Sequence, residues 1–547
     1  MTVQAPFPCY KKSALVYATA PVSIALSKGY EDGVLGSITD VAMPVAGGTD
    51  TTGVAPGWVT GTADTIRFTV TDSGAATSTI TINDAAYTSG TDYAIASAGT
   101  LTIVVTTSEA GKTNAVRTFS VAASALVSVS RASYDNWTDA FAAISAGQAV
   151  TIPAATTYNG NVTVPANKMV VGLNGTTSQI DGLVTMSDGS VLANLAVADT
   201  YEDRAITAVA DAITIQNCYI VGTWSWAAVH MNQINNSWVC GNTVSNDYQW
   251  PDGPDYGQNI IICKGESNRI IYNTLNYGKT NIIFMWGRDN GDGLTYPGIV
   301  RYNEVAYNYC IDTAEESITF DSKCSDEYNN CLERDFVASV SGADVTLPNR
   351  TWPDWTGYYM AFLTGTQQGH CYEITAVSGN TFTLDTVPTG AAGDDEIIIC
   401  APAYQNWVHH NEVHGGWDGI LMYGLAFRNT IEDNETWKIE CRCLDDGDAH
   451  TGSATGAGGR YPCGYNTIRD NTVHDMDNHA VDHVGFFYYN LPDNSNYSTA
   501  FVCKGNNAIN NTDSPEVYAN NQWFYHSGSG TLTDGGGNTV SETEMVW

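Results

Sequence analysis

Val408-His409-His410-Asn411, Ile431-Glu432-Asp433-Asn434 and Ile468-Arg469-Asp470-Asn471 are copies of one phrase, an apolar β-branched residue followed three positions later by Asn. Working outward, the phrase recurs at Val191–Asn194, Val239–Asn242, Ile270–Asn273, Val300–Asn303 and Val517–Asn520, with a looser copy at Thr214–Asn217. Five of the eight intervals between successive Asn residues fall between 23 and 31 residues. A period of that size marks a solenoid whose repeats bury their apolar faces only against their neighbours. Asn tolerates the left-handed conformation at a tight bend. Its amide can also hydrogen-bond to the Asn of the turns above and below, so stacked copies are expected to form a ladder.

Composition agrees with an elongated β protein. A chain of 547 residues is too long for one ordinary core. Its Val, Ile, Thr and Tyr fall in short alternating runs parted by some of its 52 Gly residues. The net charge of −35 repels nucleic acid and anionic lipid. No apolar run approaches the roughly 18 residues of a membrane span. The 13 Cys are scattered, and Cys263, Cys441 and Cys503 read as small buried hydrophobes.

Residues 1–30 read as an N-terminal arm without a recognisable secretory leader. Residues 31–130 read as an Ig-like antiparallel sandwich, carried by Asp64–Val70, Ser78–Ile82, Thr100–Thr106 and Val116–Val121. The amphipathic stretch Trp137–Ile144 is expected to be a short helix capping the solenoid, which runs over 131–547. Between Asn303 and Asn411 a second alternating pattern predicts a small β insertion at about 330–400.

The repeat, the capping helix and the stretch Val150-Thr151-Ile152-Pro153-Ala154 … Asn161-Val162-Thr163-Val164-Pro165 together resemble the pectin-lyase-like superfamily. The resemblance covers about 130–547. It implies an all-β, right-handed parallel β-helix, and an activity among polysaccharide lyases, glycoside hydrolases and phage tail-spike depolymerases. One fold hosts all of these, so the reaction must come from the site.

Strands that follow the phrase can be laid over one another: Ile261–Lys264, Ile283–Trp286, Ile318–Asp321, Ile420–Tyr423, Ile439–Arg442, Ala480–His483 and Phe501–Lys504. Their first and third residues are mostly apolar, so the second and fourth are expected to face outward. The fourth position then forms a stripe of Lys264, Trp286, Asp321, Tyr423, Arg442, His483 and Lys504. Aromatic faces suit pyranose rings, and cations suit a polyanionic glycan.

Two reactions fit such a stripe. In β-elimination on a uronate, Arg442 neutralises the carboxylate, Tyr423 or His483 moves protons, and Lys264 or Lys323 serves as base. In hydrolysis, Asp321 and Glu440 act as a carboxylate pair roughly 12 Å apart. Asp418, Asp445, Asp446 and Asp448 lie close enough to substitute, and Asp418 is also a substrate-binding candidate with Lys264, Trp286 and Lys504. Glu315–Lys323 resembles the acid-bearing strand of β-helix alginate lyases, which implies Ca²⁺ held by Glu315 and Glu316. Asp445, Asp446 and Asp448 are a second oxygen-rich set for Ca²⁺. No organic cofactor is expected. The reading is a secreted or virion-borne polysaccharide depolymerase, a lyase ahead of a hydrolase. A non-catalytic glycan-binding spike is the alternative of another class, and a phage spike implies a homotrimer.

Overall fold

A computed structural model describes the chain continuously over 128–198, 203–246, 257–285, 298–322, 331–348, 352–416, 418–437 and 464–474, and elsewhere chiefly as individual strands. Two compact units are formed, Met1–Thr200 with Ala212–Ile220 and Trp238–Thr243, and Tyr201–Asp211 with Val221–Ser237 and Val244–Trp547. Three parallel sheets of 13, 11 and 14 described strands make up a right-handed parallel β-helix. No helix among the described residues is long and apolar enough to cross a membrane.

The first unit opens with a four-stranded antiparallel sheet and a five-stranded sheet that is antiparallel but for the parallel pair of Thr49–Asp50 with Ala115–Ala123. All four stretches expected as strands are strands, at Thr65–Thr71, Thr77–Ile82, Gly99–Ser108 and Ala115–Ala123. Alternation in the second and third buries Ile80, Ile82, Ile103 and Val105. Ser23–Tyr30, read above as part of an arm, pairs with Thr65–Thr71 over seven residues. The sheet therefore begins before residue 31.

The expected helix forms at Trp137–Ala142, directly before the Ala149–Ile152 strand of the first parallel sheet. Asn136 caps it by accepting from the Asp139 N–H at 2.9 Å. Lys168 Nζ donates to the Phe141 carbonyl at 2.7 Å, and Arg131 lies over the Trp137 and Tyr158 rings. Asn136→Ala is expected to cost about 1 kcal/mol, measured by denaturant unfolding.

In the second unit each coil contributes a short strand to each sheet. Ile260, Ile282, Ile318 and Ile420 stand in register on the third sheet, as do Ile262, Phe284, Phe320 and Met422. All eight are essentially inaccessible. Phe284 and Phe320 stack at 4.4 Å with their planes 3° apart. Ile270, Val305, Val408, Ile431 and Ile468 form the matching column on the first sheet.

The Asn phrase resolves into two ladders. One runs Asn273, Asn308, Asn411, Asn434, Asn471 between the first and second sheets. The other runs Asn268, Asn303, Asn406, Asn429, Asn466 just before the first sheet. In both, each Oδ1 accepts from the backbone N–H and the Nδ2 of the preceding Asn. Asn303 thus belongs to the second ladder, and the copy equivalent to Ile270–Asn273 is Val305–Asn308. The left-handed bend is taken mostly by the residue before the Asn: Tyr272, Tyr307, His410, Asp433 and Asp470 have φ between 52° and 58°. Among the phrase's Asn residues, only Asn194 and Asn217 are described in that conformation. Bending one residue early turns the ladder Asn inward, where it is at most 3 % exposed.

The expected insertion is a seven-stranded antiparallel sheet from Cys331–Phe336 to Glu396–Cys400. It has its own core around Trp352, Trp355, Phe362 and Phe382. A second cluster, including Tyr359, Ile398 and Cys400, packs it on Tyr404, Leu425 and Phe427 of the coil. Arg301 fastens this contact, pairing with Glu266 at 2.9 Å and Glu373 at 3.0 Å and donating to Tyr359 Oη at 2.9 Å. The insertion follows the third-sheet strand Glu316–Ser322, which carries Asp321.

Candidate functional site

The third sheet runs through the strands Arg204–Ala208, Ala227–Asn235, Gln258–Glu266, Ile282–Met285, Glu316–Ser322, Asp418–Gly424, Arg442–Asp448, Val484–Tyr489 and Gln522–Ser527. Its ladder corrects the sequence alignment. Ile260, Ile282, Ile318, Ile420, Leu444, Phe486 and Phe524 share one line. The copies at Ile318 and Ile420 share one register and those at Ile261 and Ile283 slip by one residue, while the copies at Ala480 and Phe501 lie outside the described residues. A slip of one exchanges the two faces of a strand. Both slipped copies sit in continuous Ile runs, where alternation carries no signal.

Asp321 and Tyr423 are in register on neighbouring strands. After a bulge, Asp448 falls level with Tyr423 on the next strand. Asp445 is level with Leu421, and Asp446 with Met422 on the line that fills the interior. Arg442 is displaced to the start of its strand, level with Asp418 and, one strand further, Glu316. It therefore leaves the row of Tyr423. Trp286, Lys323, Glu440, His483 and Lys504 lie outside the described residues.

Lys264 is not an open stripe residue. It has φ 54° where its strand bends, is 6 % exposed, and packs on Gly298, where an added Cβ would come within 1.9 Å of Lys264 Cγ. Asp418, expected to meet substrate, is 2 % exposed, and its N–H donates to the Glu315 carbonyl at 3.3 Å. Glu315 and Glu316, the first set expected to hold Ca²⁺, each meet another partner. Glu315 pairs with Lys279 at 3.2 Å, and Glu316 accepts from Thr280 Oγ1 at 3.5 Å. Glu316 shares the line of Arg442, six residues or roughly 20 Å along the strand from Asp448. Among the described residues, no group of three or more His, Cys, Asp or Glu is placed to hold a metal ion. The side chains of Asp445, Asp446 and Asp448, the second set expected to hold Ca²⁺, lie outside the described residues.

Alternation with the interior columns places Thr207, His230, Ile261, Ile283, Thr319 and Leu421 on the outer face of this sheet, one per coil. Apart from Thr207 these positions are buried. Ala227, Ile261, Cys263 and Ile283 form an apolar cluster there, with Trp226 against it. His230 lies among them at 1 % exposure. Burial, aided by Arg204, pushes its imidazole down to about 3, so it is neutral at physiological pH. The sequence reading missed His230. Its strand carries the same alternation, Val229-His230-Met231-Asn232, and extending the series back by one coil would have found it.

A second polar cluster lies on the first sheet. His409 Nε2 contacts Glu304 Oε1 at 3.2 Å, and Glu304 pairs with Arg269 at 3.1 Å. Trp407 stacks on His409 at 3.7 Å and donates to Glu432 at 2.7 Å, while Arg469 donates to the other Glu432 oxygen. Each buried acid thus has a cation and a ring donor. The cluster ties the coils on either side of the insertion together, in keeping with stacked polar positions rather than a metal site. Beside it Asp433 is pushed up to about 6 by burial, then by Glu432 and Asp470, with Arg469 and His409 opposing. Between about pH 4 and 6 the folded chain keeps the Asp433 proton that the unfolded chain has lost, so stability falls as pH rises through this window. With the carboxyl 45 % exposed, the slope is a shallow one. Asp433→Asn is expected to remove it in pH-dependent thermal unfolding.

No family model and no curated protein sequence matches the chain. Among solved structures, it is similar to the Dettilon tailspike protein, at 14 % identity over 74 % of this chain with a TM-score of 0.38. The chain spans 60 % of that tailspike's length. It is similar to a Yersinia enterocolitica Family 28 exopolygalacturonase at 9 % identity, covering 90 % of this chain and 98 % of that one, with a TM-score of 0.43. A Paenibacillus alginate lyase matches at 10 % identity over 74 % of this chain and 98 % of its own, with a TM-score of 0.37.

Proposed function

We propose that the chain is an extracellular or virion-borne polysaccharide depolymerase whose reaction centre lies on the outer side of the third sheet, at Asp321, Tyr423 and Asp448. The observation that carries this is the register of those three residues across three successive strands. Asp321 and Asp448 stand two strand spacings apart, roughly 10 Å between backbone positions. That is near the roughly 6.5–9.5 Å between carboxyl groups of an inverting hydrolase, which leaves room for a water. One acid protonates the leaving oxygen and the other takes a proton from that water; Tyr423 between them orients the sugar.

This ordering prefers hydrolysis to the β-elimination favoured by sequence. Elimination needs a cation at the uronate carboxylate, and the register moves Arg442 to the far end of its strand while Lys264 is packed on Gly298. Tyr423 keeps elimination as the second reading, since a phenol in the row can supply the proton to the leaving oxygen. Incubation with a panel of neutral and uronate polysaccharides separates them. New reducing ends without the ultraviolet absorbance of an unsaturated uronate support hydrolysis, and both signals together support elimination. Tyr423→Phe is expected to lower kcat about tenfold in a hydrolase and by about 10³ in a lyase. As a spike the chain would be a trimer, read by light scattering.

A further inference from the structure

His230 and Asn232 alternate with Val229 and Met231 on one strand, and Val229 and Met231 lie in the interior columns of Ile260 and Ile262. Both polar residues therefore stand on the outer face of the third sheet. They are 1 % and 3 % exposed. His230 Nδ1, Asn232 Oδ1 and the nearby Trp226 Nε1 are buried with no hydrogen-bond partner among the described residues. A buried polar atom that nothing meets is costly, so three on one face call for a reason. Trp226 and His230 touch edge to face, with ring centres 6.5 Å apart. Around them lie Ile261, Ile283 and Cys263.

By type, these donors and acceptors match one common group. Cys263 Sγ lies 3.7 Å from His230 Nε2. With the thiol donating there, the neutral imidazole carries its proton on Nδ1 and presents a donor. Trp226 presents a second donor and Asn232 Oδ1 an acceptor. An acetamido group offers one carbonyl, one N–H and one methyl. Its carbonyl matches His230 and Trp226, its N–H matches Asn232, and its methyl suits Ile261 and Ile283. A carboxylate has no N–H for Asn232, and Arg204, the cation nearest His230, is already paired with Asp203 at 3.0 Å.

We propose that Trp226, His230 and Asn232 form a subsite for the acetamido group of an N-acetylated hexosamine in the glycan. It rests on the reading of the outer side of the third sheet as the glycan site, and it names a sugar that the glycan contains. Asn232 is in register with Cys263, Cys263 with Met285, and Met285 with Asp321. The subsite thus lies three strand spacings, roughly 14 Å, from the line of Asp321.

The test uses the full chain and two pairs of probes, the methyl glycosides of N-acetylglucosamine and N-acetylgalactosamine against methyl glucoside and methyl galactoside. At least one acetamido glycoside is expected to bind about tenfold tighter than its parent, with saturation transfer strongest on the acetyl methyl. The His230 Nδ1 resonance should move with that ligand alone. Asn232→Leu, of similar size, should abolish the preference. Equal binding, an unmoved Nδ1 resonance, or a preference that survives in a folded Asn232→Leu protein would overturn the subsite. The Nδ1 measurement needs no variant, so a misfolded Asn232→Leu does not disable the test. An acetamido preference in a chain that cleaves no glycan keeps the subsite and removes the depolymerase reading; cleavage without the preference does the reverse.

Discussion

Asn411→Ala is expected to lower the unfolding free energy by about 4 kcal/mol, among the largest losses a single ladder position can produce. Asn411 is 0 % exposed and works with both ends of its amide. Nδ2 donates to the Val305 and His409 carbonyls and to Asn434 Oδ1, at 2.9, 3.1 and 2.9 Å. Oδ1 accepts from the Asn308 N–H and Nδ2, at 3.0 and 2.9 Å. Alanine leaves those partners facing a void, and each orphaned buried group costs about 1–3 kcal/mol. Asn411→Asp should be worse at neutral pH, because a carboxylate would point at carbonyl oxygens, and partly relieved in acid. Denaturant unfolding checks both. A loss under about 1 kcal/mol for Asn411→Ala would mean the ladder is ornamental.

The second large effect concerns turnover. Asp321→Asn and Asp448→Asn are each expected to lower kcat by about 10³, within the range for removing a general acid or base. The unfolding midpoint should not move with either. In the double variant the loss should fall well short of the product of the two, because the acids serve one transition state as a unit. If both single variants turn over normally, the reaction centre is elsewhere. If only Asp448→Asn is silent, Asp445 is the next acid to test, three residues earlier on the same strand.

How much of this was legible in the sequence differs by level. The coil period, the helix at Trp137–Ala142, the N-terminal sheets and the insertion were all readable, because each rests on local alternation or a strong repeat. The ladder was readable as an idea but not in its doubling. Asn268 and Asn303 stand at a second bend that recurs with the same period, so the phrase read alone mixes the two. The bend residue was misplaced by one, since Tyr272, Tyr307 and His410 carry the left-handed conformation without being Asn or Gly.

The site was less legible for a reason tied to parallel sheets. Strands covered on both sides read as continuous apolar runs, so Ile260, Ile261 and Ile262 give no sign of which one faces in. Only the polar residue in Thr319 and Asp321 broke that degeneracy, which is why the Ile318 and Ile420 copies were aligned and their neighbours were not. Arg442 was misplaced because its apolar marker, Leu444, stands in an acidic stretch, Asp445-Asp446-Gly447-Asp448, that hides the period. The burial of His230 depends on what covers the sheet, which no local pattern encodes.

The most direct test of the central claim is a proton NMR time course of the chain acting on a glycan that it cleaves. New reducing ends are expected to appear first in the inverted anomeric configuration, with no olefinic signal from an unsaturated uronate. Retained configuration, an olefinic signal accompanying each cut, or no new ends from any glycan that the chain binds would contradict it.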